Sequence, residues 1–330
     1  MVSVDVDQGA GDGEAADGPG PRPGGPVAHL LKLLDLEEVG PDRYVGQTPA
    51  PAVGPPRLFG GQVASQALRA AMRTVRPDHH VHSLRAYFLR PGRHGPPLTL
   101  TVDRLRDGSS FTTRRVVAFQ GDDAILNLDA QFHRDEPGDE HHPPSPIGEV
   151  APPEDAGPPP VPPWAASLLK QGEGDGTGDG DGDGAESRVA AEQRAAVASF
   201  LKDRPVEMRQ AGTTGIGGRA MWVRVPEPVG DDPALHAALL TYLSDMGPVG
   251  VVAGALGRPP GALMMASLDH CLWFHHRARA DEWLLYALEP VAAGHGRGLA
   301  RGSVWTRDGV LAATVLQEVL ARRRNDSGTA

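Results

Sequence analysis

Residues 81–90 read V-H-S-L-R-A-Y-F-L-R, and residues 267–276 read S-L-D-H-C-L-W-F-H-H. Phe274 in the second stretch follows Phe88 in the first by 274 − 88 = 186 residues. The same offset joins further pairs without a gap: Leu98 and Leu284, Gly108 and Gly294, Arg115 and Arg301, Asp122 and Asp308, and Gln131 and Gln317. A fixed offset across so many positions indicates a tandem duplication.

Each copy has the pattern of a helix followed by an antiparallel meander. In the first copy, residues 58–75 carry an apolar stripe with helical spacing, which stops before Pro77. Four strand-like runs follow, with turn signals at Asp107-Gly108 and Gly121-Asp122. The second copy repeats this order after a helix-like stretch over 234–243. The sequence therefore predicts an α+β fold of two such units, paired about a pseudo-twofold axis.

Composition divides the chain into two tails, two repeats and a linker. The predicted regions are a disordered tail over 1–26, the first repeat over 27–135, a linker over 136–203, the second repeat over 204–324 and a tail over 325–330. The linker is rich in Pro, and residues 172–184 are a run of Gly and acid. One helix is predicted within it, around 187–202.

The net charge of −10 comes from two acidic segments, residues 1–25 and 172–184. Outside them the chain holds 42 − 10 = 32 acids against 32 − 1 = 31 bases. This balance, without a basic stripe, predicts no nucleic-acid binding. No uninterrupted apolar run approaches the ~20 residues that span a bilayer, so no membrane association is expected. The single cysteine rules out an internal disulfide, and a cytoplasmic protein is predicted.

The histidine-rich stretch invites metal or cysteine chemistry, but the spacing suits neither. On a strand His270 and His275 point to opposite faces because their separation is odd, and a helix does not bring them together either, so no metal site is predicted. Cys271 needs a base beside it, and His270 points to the other face. The Gly-Asp run imitates a calcium loop, but its twelfth position is Ala190. The sequence contains neither a phosphate-binding loop nor a G-x-S-x-G motif.

Three polar residues stand where apolar ones are expected: Asp245 in the turn S-D-M-G-P, Ser267 at the start of a strand and Gln317 in the last strand. Each has a structural alternative to catalysis. Asp245 also suits the N-cap of the segment that follows, which has Pro248 in its first turn. Ser267 suits a strand edge. Gln317 also suits a surface position, and Gln131 at the matching place in the first repeat favours a structural feature shared by both repeats.

Several motifs occur in order along the chain, and together they resemble the type II acyl-CoA thioesterases, the bacterial thioesterase B and choloyl-CoA hydrolase family. The motifs are L-F-G-G-Q-V-A-S-Q-A-L, V-H-S-L-R-A-Y-F-L-R-P-G, L-R-D-G-S-S-F-T-T-R-R-V, S-L-D-H-C-L-W-F-H, E-W-L-L-Y, R-G-L-A-R-G and D-G-V-L-A-A-T-V-L-Q-E. The likeness runs from about Val27 to Arg324. It implies a double hotdog fold, in which each sheet wraps a central helix, and hydrolysis of acyl-CoA to free fatty acid and CoA. No metal, cofactor or covalent intermediate is implied, and a homo-oligomer is expected.

The resemblance assigns roles to the three polar residues. Asp245 in L-S-D-M matches the family's aspartate, Gln317 in L-Q-E its glutamine, and Ser267 in A-S-L-D-H stands where threonine is usual. Asp245 is expected at the N-terminal end of a helix, where it takes a proton from a water held by Ser267 and Gln317. Val319 replaces a usual glycine.

The first repeat offers no carboxylate where the second has Asp245, since Phe59, Gly60, Gly61 and Gln62 occupy that region. One active site per chain is therefore expected. Two alternatives remain open: a non-catalytic acyl-CoA-binding protein and a hotdog enoyl-CoA hydratase. The hydratase is disfavoured because its D-x-N-P-x-H motif does not occur.

Overall fold

A computed structural model describes residues 20–50, 57–158, 195, 204–215, 218–258 and 262–324. Most of the predicted N-terminal tail, the Gly/Asp-rich insertion and the C-terminal tail lie outside these residues. So does the helix predicted around 187–202, apart from Ala195. The predicted region boundaries therefore stay predictions.

The first repeat folds as an antiparallel meander of strands covered by a helix that is rich in small residues. Its elements are α1 (Pro26–Leu34), β1 (Glu37–Gly40), β2 (Arg43–Gly46), α2 (Gly60–Met72), β3 (His79–Phe88), β4 (Leu98–Asp107), β5 (Phe111–Gln120) and β6 (Asp123–Arg134). In β5 every second residue from Thr112 is buried, as expected for a sheet with one covered face. The covering element is α2, which is buried nearly all round. Its alanines, glycines and serine let the sheet approach closely.

The second repeat has the same plan with a longer helical part. Its elements are β7 (Glu207–Gly212), β8 (Arg219–Arg224), α3 (Pro233–Ser244), α4 (Pro248–Ala255), β9 (Leu263–Ser267), β10 (Asp269–Phe274), β11 (Leu284–Gly294), β12 (Arg297–Thr306) and β13 (Leu311–Arg323). A short 3-10 helix, Pro146–Glu149, lies between the repeats. The chain after it packs on the second repeat, where Trp222 Nε1 donates to Ala151 O at 2.7 Å.

Within the described residues, the strands form one 13-stranded sheet in the order β1-β2-β4-β5-β6-β3-β10-β13-β12-β11-β8-β7, with β9 also beside β13. The two repeats join where β3 pairs antiparallel with β10, in a register that sets Tyr87 opposite Asp269 and Ser83 opposite Trp273. The strand order on one side of this seam mirrors the order on the other. The predicted α+β fold with two pseudo-twofold-related units is confirmed.

The predicted match between Gln131 and Gln317 is wrong. Thr113 pairs with Gln131 in the first repeat, whereas Leu299, which is 113 + 186, pairs with Glu318 in the second. The extra residue lies in the last hairpin. Gln120 pairs directly with Asp123 in the first repeat, while the second hairpin closes with a bond from Thr306 N to Val310 O. Gln131 consequently lies exposed on the outer face, while Gln317 is fully buried. The structural counterpart of Gln317 is Ala130.

The helical part of the second repeat is broken in the middle. Taken together, α3 and α4 are long and apolar enough to cross a membrane by length and composition, but 56% of the most apolar window is buried inside this protein. The same length and composition occur in core helices, and here α3 packs on α2 while α4 packs on β11 to β13. The break falls at Gly247, whose φ of 123° is one that side chains rarely adopt. The break leaves Asp245 at the end of α3.

Candidate active site

The three residues singled out in the sequence meet in one place. Asp245 follows α3, Ser267 ends β9 and Gln317 lies within β13. Ser267 Oγ donates to Asp245 Oδ1 at 3.4 Å, and Gln317 Nε2 donates to Ser267 Oγ at 2.7 Å. Residues far apart in the chain therefore form one hydrogen-bonded row, which none of the separate structural alternatives requires.

The sequence led us to expect Asp245 at the N-terminal end of the helix that follows it, but the structure places it differently. It is the C-cap of α3, and Gly247 is the N-cap of α4. Its carboxylate instead caps α2 of the first repeat, because Gly61 N donates to Asp245 Oδ2 at 2.7 Å. Phe59, the N-cap residue of α2, makes no side-chain cap bond. The cap and the candidate base are thus the same group.

The glycine pair at the start of α2 makes this approach possible. A Cβ on Gly60 would lie 2.9 Å from Asp245 Oδ2, and one on Gly61 would lie 2.7 Å from Tyr242 O. Both distances are shorter than real Cβ contacts, so a larger residue would displace the carboxylate or α3. The sequence motif L-F-G-G-Q therefore belongs to the site, although it carries no reactive side chain.

Burial controls the electrostatics of Asp245. The residue is 8% exposed, and loss of hydration raises the pKa of its carboxyl above the ordinary value. A charge on His270 and hydrogen bonds from Gly61, Gln317 and Ser267 lower that pKa, but they offset only part of the rise. A carboxylate with a raised pKa holds a proton more strongly, which suits a general base.

Two buried tyrosines lie near the Asp245 carboxylate and stay neutral near pH 7. Burial, together with the negative charge of Asp245, raises the pKa of Tyr242 to about 12 and that of Tyr286 well above its ordinary value. Tyr286 OH donates to Ser244 O at 2.7 Å and so fixes the last turn of α3. Gly302 leaves room for the Tyr286 ring, which a Cβ there would overlap.

His270 belongs to the site, and strand alternation alone missed it. Ser267 pairs with Val319 (267 + 319 = 586), but Cys271 pairs with Leu316 (271 + 316 = 587), so one extra residue bulges between β9 and β10. The bulge turns Ser267 and His270 to the same side. His270 Nδ1 lies 2.7 Å from Gln317 Oε1, and its Nε2 lies 2.8 Å from Ser244 Oγ.

Asp269, the carboxylate next to His270, has a structural task. Its Oδ1 accepts from Glu318 N at 2.6 Å, and Leu268 N donates to Glu318 O at 2.9 Å. These two bonds hold the bulge against β13 directly beside Gln317.

The other reactive side chains of the histidine-rich stretch lie away from this row. His275 Nε2 bonds with Thr314 Oγ1 at 2.8 Å, and burial raises the pKa of the Cys271 thiol, which disfavours a thiolate. Within the part of the chain that the structure describes, no three His, Cys, Asp or Glu side chains are grouped to hold a metal ion.

The corresponding place in the first repeat is apolar. By the offset of 186, the positions of Asp245, Ser267 and His270 are occupied in the first repeat by Phe59, Val81 and Leu84. By strand pairing, the position of Gln317 is occupied by Ala130. Among the described residues this polar row therefore occurs once per chain. The first repeat contributes the start of α2 and the second contributes the side chains.

Comparisons with known proteins agree with this architecture. A profile of the acyl-CoA thioesterase N-terminal domain matches residues 48–133, and one of the acyl-CoA thioesterase C-terminal domain matches residues 177–321. The acyl-coenzyme A thioesterase 8 of Homo sapiens is 34% identical over 320 residues, which cover 96% of this chain and 95% of that protein. The acyl-CoA thioesterase 2 of Haemophilus influenzae is 31% identical over 299 residues, covering 89% and 97%.

Solved structures give the same result. The acyl-CoA thioesterase II TesB2 from Mycobacterium marinum matches with a TM-score of 0.69 at 32% identity, covering 90% of this chain and 99% of that one. A protein of unknown function with a hotdog fold from Alicyclobacillus acidocaldarius has a TM-score of 0.66 at 20% identity, covering 90% and 98%. The predicted double hotdog fold is confirmed. The chain belongs to the acyl-CoA thioesterase family, and its prediction as a thioester hydrolase is confirmed with it.

Proposed function

We propose that this chain hydrolyses acyl-CoA thioesters to free fatty acid and CoA, with Asp245 as general base on a water held by Ser267 and Gln317. The observation that carries the proposal is the buried row in which Asp245, Ser267 and Gln317 meet. The names of the relatives support the substrate class, because they are acyl-CoA thioesterases.

The reaction needs one proton acceptor and one attacking oxygen. Asp245 takes a proton from water as the water oxygen bonds to the thioester carbonyl carbon. The C–S bond then breaks, and the proton passes to the CoA sulfur, so that the products are the acid and the free thiol. The raised pKa of Asp245 supports this role, because burial makes the carboxylate a stronger proton acceptor than an exposed one.

Direct attack by water is favoured over a serine nucleophile. A serine hydroxyl needs an adjacent base to become nucleophilic, and the usual base is a histidine bonded to it. The neighbouring imidazole, His270, bonds to Gln317 and Ser244 and not to Ser267. Ser267 accepts from Gln317 and donates to Asp245, which suits a residue that orients water.

The start of α2 supplies the positive side of the site. The N-terminal end of a helix carries partial positive charge and backbone N–H groups that stabilise anions. Gly61 N already holds Asp245, and the first turn of α2 lies beside it. We infer that the oxyanion of the tetrahedral intermediate forms next to this turn, where it is stabilised electrostatically.

We also propose one active site per chain, in a cytoplasmic homo-oligomer that acts in lipid metabolism. The apolar residues at the corresponding place in the first repeat support a single site, since Phe59, Val81 and Ala130 provide neither base nor hydroxyl. Sedimentation of the purified chain tests the assembly. Titration of sites per chain with a non-hydrolysable acyl-CoA analogue tests the stoichiometry, and two equivalent reactive sites would contradict it.

Release of free CoA from a panel of acyl-CoAs, followed with a thiol reagent, tests the activity. Turnover with at least one chain length is expected, together with no acyl adduct on Ser267 by mass spectrometry of the quenched reaction. Tight acyl-CoA binding without thiol release would instead support the non-catalytic alternative. Hydration of an enoyl-CoA without thiol release would support the hydratase.

A further inference from the structure

His270 is a buried polar side chain that the proposed reaction does not use directly. It is fully buried in β10, opposite Ala86 of β3. Its two ring nitrogens bond to Gln317 Oε1 at 2.7 Å and to Ser244 Oγ at 2.8 Å. His270 therefore links Gln317 to the last turn of α3, one residue before Asp245.

The carboxylate fixes which way the Gln317 amide points. A carboxylate only accepts hydrogen bonds, so the single proton of Ser267 Oγ goes to Asp245 Oδ1. Ser267 Oγ must then accept from Gln317, and the group that donates to it is Nε2, at 2.7 Å. The amide nitrogen thus faces the site, and the amide oxygen faces His270. Because Oε1 only accepts, the proton of that bond has to lie on His270 Nδ1.

Ser244 keeps that proton in place whether the imidazole is neutral or charged. Its hydroxyl lies within bonding distance of both His270 Nε2 and Thr241 O, at 2.8 and 2.9 Å. It donates to Nε2 of a neutral ring, or accepts from Nε2–H of a charged ring while it donates to Thr241 O. The nearby titratable groups are Asp245 after α3 and Tyr286 of β11, which bonds to Ser244 O. The Nδ1–H to Gln317 persists in both states.

We propose that His270 is a positioning residue for the reaction: its Nδ1–H holds the Gln317 amide with Nε2 toward Ser267 and the attacking water. The inference rests on the proposed function, since it assigns the same water to Gln317. His270 carries no proton to or from substrate. Without its Nδ1–H, the amide is free to turn its oxygen toward the carboxylate, where the two oxygens repel each other.

Three substitutions separate this role from simple packing. In asparagine the amide nitrogen is attached to Cγ, as Nδ1 is in histidine, so His270→Asn keeps the donor to Gln317. In glutamine the nitrogen reaches the place of Nε2, so His270→Gln keeps only the bond to Ser244. Leucine at position 84 fills the corresponding core position in the first repeat, so His270→Leu suits the packing.

The three variants are expected to differ in kcat and not in KM. Loss of the amide's orientation misplaces the water by a large fraction of an ångström, so kcat should fall on the order of 10- to 100-fold in His270→Leu and His270→Gln. His270→Asn should lose less than about 5-fold. KM should change by less than about 3-fold in all three variants, because His270 does not contact substrate. Equal loss in the Asn and Gln variants, or a loss confined to KM, overturns the inference.

A double-mutant cycle with Gln317→Ala closes the test. If His270 acts through Gln317, His270→Leu should cost less than about 3-fold in the Gln317→Ala background. A full, additive loss in that background means that His270 acts on stability or on another group, and it overturns this inference alone. Unimpaired turnover of Gln317→Ala itself would overturn the role of Gln317 in the proposed function, and the positioning role with it.

Discussion

Gly60 lies at the first position of α2, where the helix meets Asp245. A Cβ there would lie 2.9 Å from both Asp245 Oδ2 and Phe88 Cζ, whereas ordinary van der Waals contact begins at 3.4 Å. Gly60→Ala must therefore move the carboxylate, the helix start or the Phe88 ring by 3.4 − 2.9 = 0.5 Å. A misplacement of ~1 Å costs about 100-fold in rate, so half of that predicts a loss of about 10-fold in kcat.

The assay is steady-state CoA release, with Gly250→Ala as the matched control. Gly250 lies inside α4, and a Cβ there would meet nothing within 4 Å. The control should keep wild-type kcat and raise the free energy of unfolding by about 0.5–1 kcal/mol, because alanine favours helix. Gly60→Ala makes the same residue change at the first position of α2. Wild-type kcat in Gly60→Ala refutes the reasoning that close backbone approach places the carboxylate.

Three further predictions concern charge and stability. Burial raises the pKa of the Asp245 carboxyl above 3.8, so kcat/KM should fall as the pH drops through that raised value; an acid limb at or below 3.8 contradicts this. Because the pKa of the Asp245 carboxyl is higher in the folded than in the unfolded protein, its contribution to the free energy of unfolding is full below pH 3.8. That contribution is lost as the pH rises through the pKa of the folded protein. Asp245→Asn should therefore raise Tm at neutral pH, measured by calorimetry. Arg114→Met should lower the free energy of unfolding by about 1–3 kcal/mol in urea, because buried Arg114 donates to Thr74 O and Arg106 O; exposed Arg115→Met is the control.

The repeat and its meander could be predicted because their signals are local. Alternating strands, Gly-Asp turns and the apolar stripe of α2 are each visible within a short window, and the pseudo-twofold pairing follows from the offset. Asp245, Ser267 and Gln317 came from motif resemblance. Their meeting in space depends on the pairing of β9 with β13 and on the break before α4, which the motifs do not encode separately.

The features that sequence reasoning missed depend on single-residue irregularities. One extra residue in the last hairpin places Gln131 and Gln317 on opposite faces of the sheet, although their spacing equals the repeat offset. One bulged residue between β9 and β10 brings His270 to the side of Ser267, against simple alternation. A side-chain period of two makes a strand sensitive to such shifts. The helix capped by Asp245 was missed for another reason, since it belongs to the other repeat.

The most direct test of the catalytic base is the turnover of Asp245→Asn beside that of Asp129→Asn. Asparagine keeps the shape of Asp245 and an oxygen for Gly61 N, but it does not accept the proton of water. We predict that kcat falls on the order of 10² to 10⁴-fold with the fold intact. Asp129 pairs with Arg115 on the exposed face, so its variant should keep wild-type kcat. Unimpaired turnover by Asp245→Asn would reduce Asp245 to the cap of α2 and contradict its role as the base.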